Sequence, residues 1–334
     1  MQYAELHCKS NFSLLQGASH AVELVERAKR LGYRAIAITD RNTLAGIVRA
    51  HGAAKDEQLK FVVAAELTFV DAPACVVWMP NRKAYGQLCR LLTLGRRRAG
   101  KGECLLYFDD LREFGQDWIV GVIPDWNPSS GNLVSDHLRL HEAAEMITAA
   151  QLLAYREIFV EDCYLLAELH RGVADKQRLL RLRRLSEDAN VPLLAAGDVY
   201  YHDPSRARLQ DALTAIAHRC NVQQIGDWQF PNAQRFLRPL NELGDLFAEI
   251  PSAVQRTVEI AERCCFSLEE LKYEYPEELT PKKTTPIQHL GQLAWKGAHQ
   301  RYPSGLPQKV IRLLKHELES VSYTHLTLPT NREV

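Results

Sequence analysis

Four residues that can ligate divalent metals stand at or beside the ends of predicted β-strands: His7, Asp40, Glu66 and Asp198. Metal-assisted phosphoester hydrolysis uses such clusters, because carboxylates and imidazoles hold the ions at fixed spacing. Each residue alone has an ordinary alternative. His7 could be a hydrogen-bonded core histidine, and Asp40 could cap a helix starting in residues 41–44. A metal site is therefore predicted only if the four side chains converge.

The elements that must position these side chains are short apolar runs that alternate with helical patterns over the first 200 residues. The strand candidates are Arg34–Thr39, Phe61–Val70, Ala74–Met79, Trp118–Ile123, Ile158–Leu165 and Val191–Ala196. Strands separated by helices imply parallel pairing with right-handed crossovers, hence an α/β barrel or an open α/β sheet. Both folds place functional residues at the C-terminal ends of strands, where Asp40, Glu66 and Asp198 are predicted to lie.

Helical patterns are clearest at the two ends of the chain. The first predicted helix follows Ser19, its expected N-cap, and ends before Gly32, its expected C′ residue. From Asp203 to Cys265 the pattern is helical around a turn-rich insert at residues 229–234, and another helix is expected over about 308–319. Residues 320–334 are rich in Thr and lack helical periodicity. We expect a tail foreign to the original protein, with a frayed terminus as the alternative.

Composition excludes several classes of protein. The chain has 334 residues, of which 46% are hydrophobic and 25% charged, unlike a disordered, collagenous or coiled-coil chain. The eight cysteines form no CxxC pair, which predicts reduced thiols in a cytoplasmic protein. No apolar run is long enough to span a membrane. Basic and acidic residues both number 41, so net charge neither favours nor excludes nucleic acid.

A basic run interrupted by glycine is the main candidate for a phosphate-backbone contact, with a solvated surface loop as the alternative. It consists of Arg90, Arg96, Arg97, Arg98 and Lys101. Nucleophilic catalysis and nucleotide binding find little support, because the sequence has no G-x-S-x-G elbow, P-loop or G-x-G-x-x-G motif.

The opening segment, YAELHCKSNFSLLQGAS at residues 3–19, closely resembles the start of bacterial error-prone DNA polymerases of the DnaE-like (ImuC) type. These are relatives of the replicative polymerase III alpha subunit. The likeness covers about residues 3–319 in unbroken order. Further matches lie in Leu31–Asp40, Asn81–Thr93, Ala196–Pro204, Leu209–Ile216 and Phe266–Leu279.

This resemblance implies a PHP (polymerase and histidinol phosphatase) domain, a distorted (β/α)7 barrel, followed by the mostly helical start of the polymerase palm and thumb region. We expect the barrel over residues 1–265, a linker over 266–286, the polymerase region over 287–319 and the tail over 320–334. The full-length protein would be a translesion DNA-directed DNA polymerase acting in DNA repair and damage-induced mutagenesis. Its catalytic carboxylates would lie beyond this chain, so the chain itself is expected to be inactive.

The resemblance also marks the metal positions of the barrel. His7, Asp40, Glu66 and Asp198 retain metal-binding types, whereas the other positions are changed: Lys9, Gln16, Arg41 and Tyr200. Lys9 and Arg41 place cations where metals would sit and would repel them. We therefore hypothesise a vestigial site in which these two residues are the counter-charges of Asp40, Glu66 and Asp198.

Two other functions stay open at this stage. One is a metal-dependent phosphoesterase of the PHP superfamily, and the other is a non-catalytic scaffold that contacts DNA or proteins through residues 90–101. No cofactor is expected in this part, and Mg²⁺ is expected for the full polymerase. The implied partners are template-primer DNA, deoxynucleotides, the sliding clamp and accessory mutagenesis proteins.

Overall fold

A computed structural model describes residues 1–126, 145–271, 280–281 and 284–327. The chain divides into two compact units, Met1–Leu271 and Lys272–Val334. Among its described residues, the larger unit contains nine strands: β1 (Ala4–Glu5), β2 (Ala35–Ile38), β3 (Lys60–Leu67), β4 (Cys75–Trp78), β5 (Ile119–Val122), β6 (Asp125–Trp126), β7 (Glu145–Met146), β8 (Cys163–Glu168) and β9 (Leu193–Ala196).

Seven of these strands form one sheet in the order β1-β2-β3-β4-β5-β8-β9, and β6 pairs with β7. Neighbouring strands of the large sheet are parallel except at β4, which is antiparallel to both β3 and β5. The parallel pairing expected for strands separated by helices is therefore wrong at β4. Only residues 68–74 join β3 to β4, and a parallel connection needs a dozen or more residues.

The first and last strands of the sheet meet just beyond their regular ends. Cys8 forms a parallel bridge with Val199. The Lys9 N–H donates to the Val199 carbonyl at 2.8 Å, and the Val199 N–H donates to the His7 carbonyl at 3.0 Å. These bonds nearly close the sheet, so the expected distorted seven-stranded barrel is confirmed.

Helices cover the outside of this barrel. They are α1 (Ala21–Arg30), α2 (Ile47–Asp56), α3 (Arg82–Arg98), α4 (Phe108–Phe114), α5 (Ala149–Phe159), α6 (Asp175–Ala189), α7 (Ala207–His218), α8 (Leu240–Leu246) and α9 (Pro251–Arg263). A core of α1 side chains such as Leu24 packs against outward-facing strand residues such as Ile36. A second core fills the opposite face with Leu6, Val62 and Trp78. In the described part of the chain, no helix is both long and apolar enough to cross a membrane.

Several element ends differ from the expectations. The N-cap of α1 is His20 and not Ser19, and the His20 N–H donates to the Glu23 carboxylate at 2.8 Å. Gly32 has a φ of +77°, as its expected C′ position requires. The strand expected over 158–165 is wrong in its first half. That apolar run contains both the end of α5 and, after a turn, the start of β8.

The start of the expected linker packs on the barrel. Phe266 is buried and stacks on Tyr85 with ring centroids 4.7 Å apart. Lys55 pairs with Glu269 at 2.8 Å. Residues 272–279 and 282–283 of that linker lie outside the described residues. The linker and domain boundaries stay predictions.

The smaller unit contains α10 (Pro286–Arg301) and α11 (Gln308–Thr327). Thr285 caps α10 by accepting a hydrogen bond from the Gln288 N–H at 3.3 Å. Helix α11 continues eight residues past Glu319, where we expected the helix to stop. Helix propensity is a weak guide over so few residues. The foreign origin of residues 320–334 stays a prediction, and residues 328–334 lie outside the described part.

Candidate functional site

Three of the four predicted metal-ligating residues converge at the C-terminal mouth of the barrel. The His7 ring contacts Glu66 and lies 3.8 Å from the Asp198 carboxylate. A third acid, Glu168, completes the group and was missed in the sequence. Glu168 is the last residue of an apolar strand and Glu66 the penultimate residue of another, and both follow an alanine. This shared pattern is the signal that could have identified it.

His7 is held between two carboxylates. Its Nδ1 lies 2.8 Å from Glu168 Oε1, and its Nε2 lies 2.9 Å from Glu66 Oε2. Ionised carboxylates only accept hydrogen bonds, so this geometry favours a ring that is protonated on both nitrogens. Burial and the charge of Lys9 oppose this protonation, but the bonds to the two glutamates prevail and raise the pKa of His7.

Lys9 places its ammonium group in the centre of the cluster. The Nζ atom lies 2.7 Å from Glu66 Oε2 and 2.9 Å from Asp198 Oδ1. It also lies 4.6 Å from the ring centroid of Tyr200. Burial opposes the charge of Lys9, but the carboxylates, Glu66 above all, raise its pKa. Burial likewise opposes ionisation of Glu66, yet Lys9 and His7 hold the pKa of that carboxyl far below its usual value.

Arg235 is a further cation of the cluster, and no sequence pattern indicated it. Its guanidinium forms an ion pair with Asp198 Oδ2 and lies 4.3 Å from the Phe230 ring centroid. Burial lowers the pKa of Arg235 to about 10, which leaves it charged at neutral pH. Asp198 itself has a φ of +42°, an unusual backbone conformation for a non-glycine residue.

Asp40 stands apart from these ion pairs. Its carboxylate accepts hydrogen bonds from the backbone N–H groups of Ser10 and Ser13 at 2.8 and 3.1 Å, and from both hydroxyls at 2.7 Å. Helix α2 begins only at Ile47, after the N-cap Gly46, so Asp40 is not a helix cap. Burial raises the pKa of Asp40, although the serine hydrogen bonds oppose this rise. Its role is to fix the loop that starts at residue 10.

Arg41 does not take the counter-charge role that we hypothesised. Within the described residues, no carboxylate oxygen lies within 4.0 Å of its side-chain nitrogens, and no basic nitrogen lies that close to Asp40. Its charge still contributes to lowering the pKa of Glu66. Gln16 is buried in the loop fixed by Asp40, where its N–H donates to the Ser13 carbonyl at 2.9 Å.

Comparison with known proteins identifies this barrel. A family model described as the PHP domain matches residues 5–166. The chain contains a PHP domain. The resemblance to error-prone DNA polymerases is also confirmed, because curated relatives with that name match almost the whole chain at 37–45% identity.

Among these relatives is an error-prone DNA polymerase of Rhodopirellula baltica, 45% identical over 95% of this chain and 27% of its own length. The error-prone DNA polymerase of Pseudomonas aeruginosa is 41% identical over 96% of this chain and 29% of its own length. The chain thus spans less than a third of these relatives. A solved structure described as a putative metal-dependent phosphoesterase from Bifidobacterium adolescentis is 14% identical, covers 74% of this chain and 96% of its own, and has a TM-score of 0.42.

The residues of this PHP domain do not fit the divalent metal that the fold family implies. Ligand atoms of His7, Glu168 and Asp198 lie within 4.8 Å of one another, a suitable spacing for a metal. However, both His7 nitrogens already lie within 2.9 Å of a carboxylate oxygen. The Lys9 ammonium lies 3.2 Å from His7 Nε2 and 2.9 Å from Asp198 Oδ1. A divalent ion in this position would meet a fixed positive charge.

The basic run of the PHP domain is partly engaged in its own contacts. Arg98 pairs with Asp110 at 2.6 Å, and Arg96 donates to the Asn42 carbonyl at 2.9 Å. Arg90, Arg97 and Lys101 are exposed, and within the described residues none of the three has an ion pair. Binding of nucleic acid by this run stays a prediction.

Proposed function

We propose that this chain is the PHP-bearing part of an error-prone DNA polymerase that works in the cytoplasm, and that its barrel is a structural framework rather than a metal-dependent enzyme. The similarity to named error-prone DNA polymerases over 95–96% of the chain supports the first half of the proposal. The chain covers only 27–30% of the length of such relatives. Nucleotidyl transfer with Mg²⁺, template-primer DNA and deoxynucleotides would belong to carboxylates elsewhere in the full-length protein.

The position of Lys9 carries the second half of the proposal. Three buried carboxylates, those of Glu66, Glu168 and Asp198, lie against the side chains of His7, Lys9 and Arg235. The Lys9 ammonium contacts two of these carboxylates at 2.7 and 2.9 Å. A buried charge is tolerated only when it is paired, and this pocket pairs its own charges without an ion.

Metal analysis and an enzyme assay test the framework role. We expect the purified chain, dialysed against metal-free buffer, to retain less than stoichiometric Zn, Mn or Fe by elemental analysis. We also expect no hydrolysis of bis-p-nitrophenyl phosphate with added Mn²⁺. One bound metal per chain together with phosphodiesterase activity that D198N abolishes would contradict the proposal.

Primer extension tests the polymerase assignment. We expect a full-length protein that carries this chain to extend a primed template with deoxynucleotides and Mg²⁺, including across a lesion. This chain alone should not extend the primer. Extension by the chain alone, or none by the full-length protein with or without a sliding clamp and accessory mutagenesis proteins, would contradict the assignment.

We propose direct DNA contact as a second function, because three exposed cations of the basic run have no acidic partner among the described residues. The measurement is the anisotropy of a labelled oligonucleotide over a salt series. Replacing Arg90, Arg97 and Lys101 by Ala should reduce the slope of log affinity against log salt by up to about 3. Arg98→Ala is the matched control, because Arg98 is already paired. Equal slopes for the triple variant and the parent chain would rule out this contact.

A further inference from the structure

A turn-rich segment, residues 228–238, lies across the mouth of the barrel, and we call it the mouth strap. The N–H groups of Tyr200 and Tyr201 donate to the Arg235 carbonyl at 3.0 and 3.3 Å. The Asn232 side chain donates to the His170 carbonyl at 2.8 Å. The mouth strap is therefore attached to the loops that follow β8 and β9, the two strands that carry Glu168 and precede Asp198.

Arg235 reaches from the mouth strap into the pocket. One side of its guanidinium lies over aromatic rings, 4.3 Å from the Phe230 centroid and 5.4 Å from the Tyr200 centroid. The other side forms the ion pair with Asp198. The side chains of Arg235 and Asp198 are 18% and 9% exposed, so this pair has lost most of its water. Such a pair stabilises its surroundings only while both partners are in place.

Each carboxylate oxygen of Asp198 has its own cation. Oδ1 faces the Lys9 ammonium at 2.9 Å, and Oδ2 faces Arg235. Lys9 also contacts Glu66 at 2.7 Å, so Arg235 is the cation that Asp198 shares with neither glutamate in direct contact. Lys9 follows the first strand, whereas Arg235 comes from the mouth strap, outside the strand ends.

We propose that the mouth strap is a built-in lid of the pocket and that Arg235 is its latch, a positioning residue that completes the charge balance and, with Lys9, excludes divalent cations. This inference rests on the proposed framework role of the barrel. It adds that closure of the mouth depends on one ion pair. Removing Lys9 and Arg235 together takes away both cations that contact Asp198, and it leaves the carboxylates beside His7 available to a divalent cation.

Two measurements on the intact chain test this inference. The first is chymotrypsin cleavage at Phe230 and Phe236 in the mouth strap. Arg235→Met should accelerate this cleavage at least about tenfold, because loss of a buried ion pair changes a local opening equilibrium by more than the 1.4 kcal/mol that tenfold represents. Arg235→Lys keeps the charge and should restore most of the protection. Arg263→Met, which breaks an exposed pair with Asp162, is the matched control and should leave cleavage unchanged.

The second measurement is the thermal midpoint with and without excess Mn²⁺. We expect Mn²⁺ to raise the midpoint of the K9M/R235M double variant and to leave the parent chain and both single variants unchanged. Mn²⁺ bound to the parent chain would overturn the framework role itself. If the parent binds no metal, two results would overturn the latch alone: unchanged cleavage in Arg235→Met, or a double variant that Mn²⁺ does not stabilise.

Discussion

Two aspartates at the mouth of the barrel are buried to similar degrees but neutralised in different ways. Asp40 follows β2 and is 1% exposed, and Asp198 follows β9 and is 7% exposed. Asp40 receives four hydrogen bonds from two serines, both within 30 residues of it. Asp198 receives two full charges, one of them from Lys9, 189 residues away. The first arrangement fixes a loop, and the second joins distant parts of the chain.

The same difference is seen in the pKa values of Asp40 on one side and of Glu66 and Glu168 on the other. Burial prevails at Asp40 and raises its pKa, because hydroxyl and amide donors compensate the lost water only in part. Cations prevail at Glu66 and Glu168, whose pKa values are lowered despite their burial. Hydrogen bonds from neutral donors therefore hold a buried carboxyl group at this mouth without lowering its pKa. Ion pairs lower the pKa and so favour the charged carboxylate.

The largest expected effect is the loss of Lys9. Lys9→Met should lower the free energy of unfolding at pH 7 by about 3–5 kcal/mol, because it leaves two carboxylates buried without their shared cation. The loss should shrink at pH 5, where Glu66 without Lys9 can take up a proton. Urea unfolding at both pH values measures this. Lys83→Met, which breaks an exposed pair with Asp117, should cost less than about 1 kcal/mol. Equal costs for both variants would contradict the central role of Lys9.

The next largest expected effect is on the pH dependence of stability, which should differ between the ion-paired glutamates and the hydrogen-bonded Asp40. Glu66 and Glu168 have lowered pKa values, so their stabilisation is complete above the unfolded pKa of about 4.3 and is lost as the pH falls below it. An ion-paired carboxylate of this kind contributes on the order of 2–3 kcal/mol. Asp40 has a raised pKa, so its contribution to the free energy of unfolding decreases as the pH rises. Unfolding between pH 3 and 6 should show a shallower slope in Glu168→Gln and a steeper slope in Asp40→Asn. Slopes that match the parent chain would refute this.

Asp40→Asn should cost about 1.5–3 kcal/mol, since it removes the charge from a group of charge-assisted hydrogen bonds. Hydrogen exchange should accelerate in the loop at residues 10–17 and stay unchanged around Lys9. The cost should be insensitive to salt, because no ion pair is involved. Ser10→Ala removes a single hydroxyl donor to Asp40, so it should lower the stability less than Asp40→Asn does. Faster exchange throughout the pocket would show that the two arrangements are not independent.

Gly46→Ala should give the smallest loss, about 1–3 kcal/mol. A Cβ at this position would lie 2.4 Å from Asp40 Oδ2 and 2.9 Å from Ser10 Oγ, so the loop contacts of Asp40 would have to shift. Gly52 lies in the same helix with nothing within 4 Å of its Cβ position, and Gly52→Ala should stabilise the protein by up to about 1 kcal/mol. Thermal midpoints of the two variants give the comparison, and a shift of the same sign in both would contradict it.

The sequence predicted the strands that are buried on both faces, because continuous apolar runs such as those of β2 and β9 mark them. It also placed Asp40, Glu66 and Asp198 at strand ends, but only the folded chain shows that Glu66 and Asp198 meet at His7. Arg235 could not be found in this way. It lies in a segment without periodicity, and only the folded chain shows that its carbonyl pairs with Tyr200. Arg41 was assigned its counter-charge role because it stands at a metal position of the PHP pattern, but a position in a motif does not fix where a long side chain points.

The bond between the Ala4 N–H and the Thr257 hydroxyl, 3.1 Å long, has a consequence for synthesis on the ribosome. The two residues are 253 positions apart. At about 5–20 residues per second, translation needs on the order of 10–50 s to deliver the second partner after the first. During that interval β1 is part of the nascent chain but lacks its contact with the segment that carries Thr257. Its apolar surface is then open to aggregation, so cotranslational protection of this short segment should decide the yield of native protein.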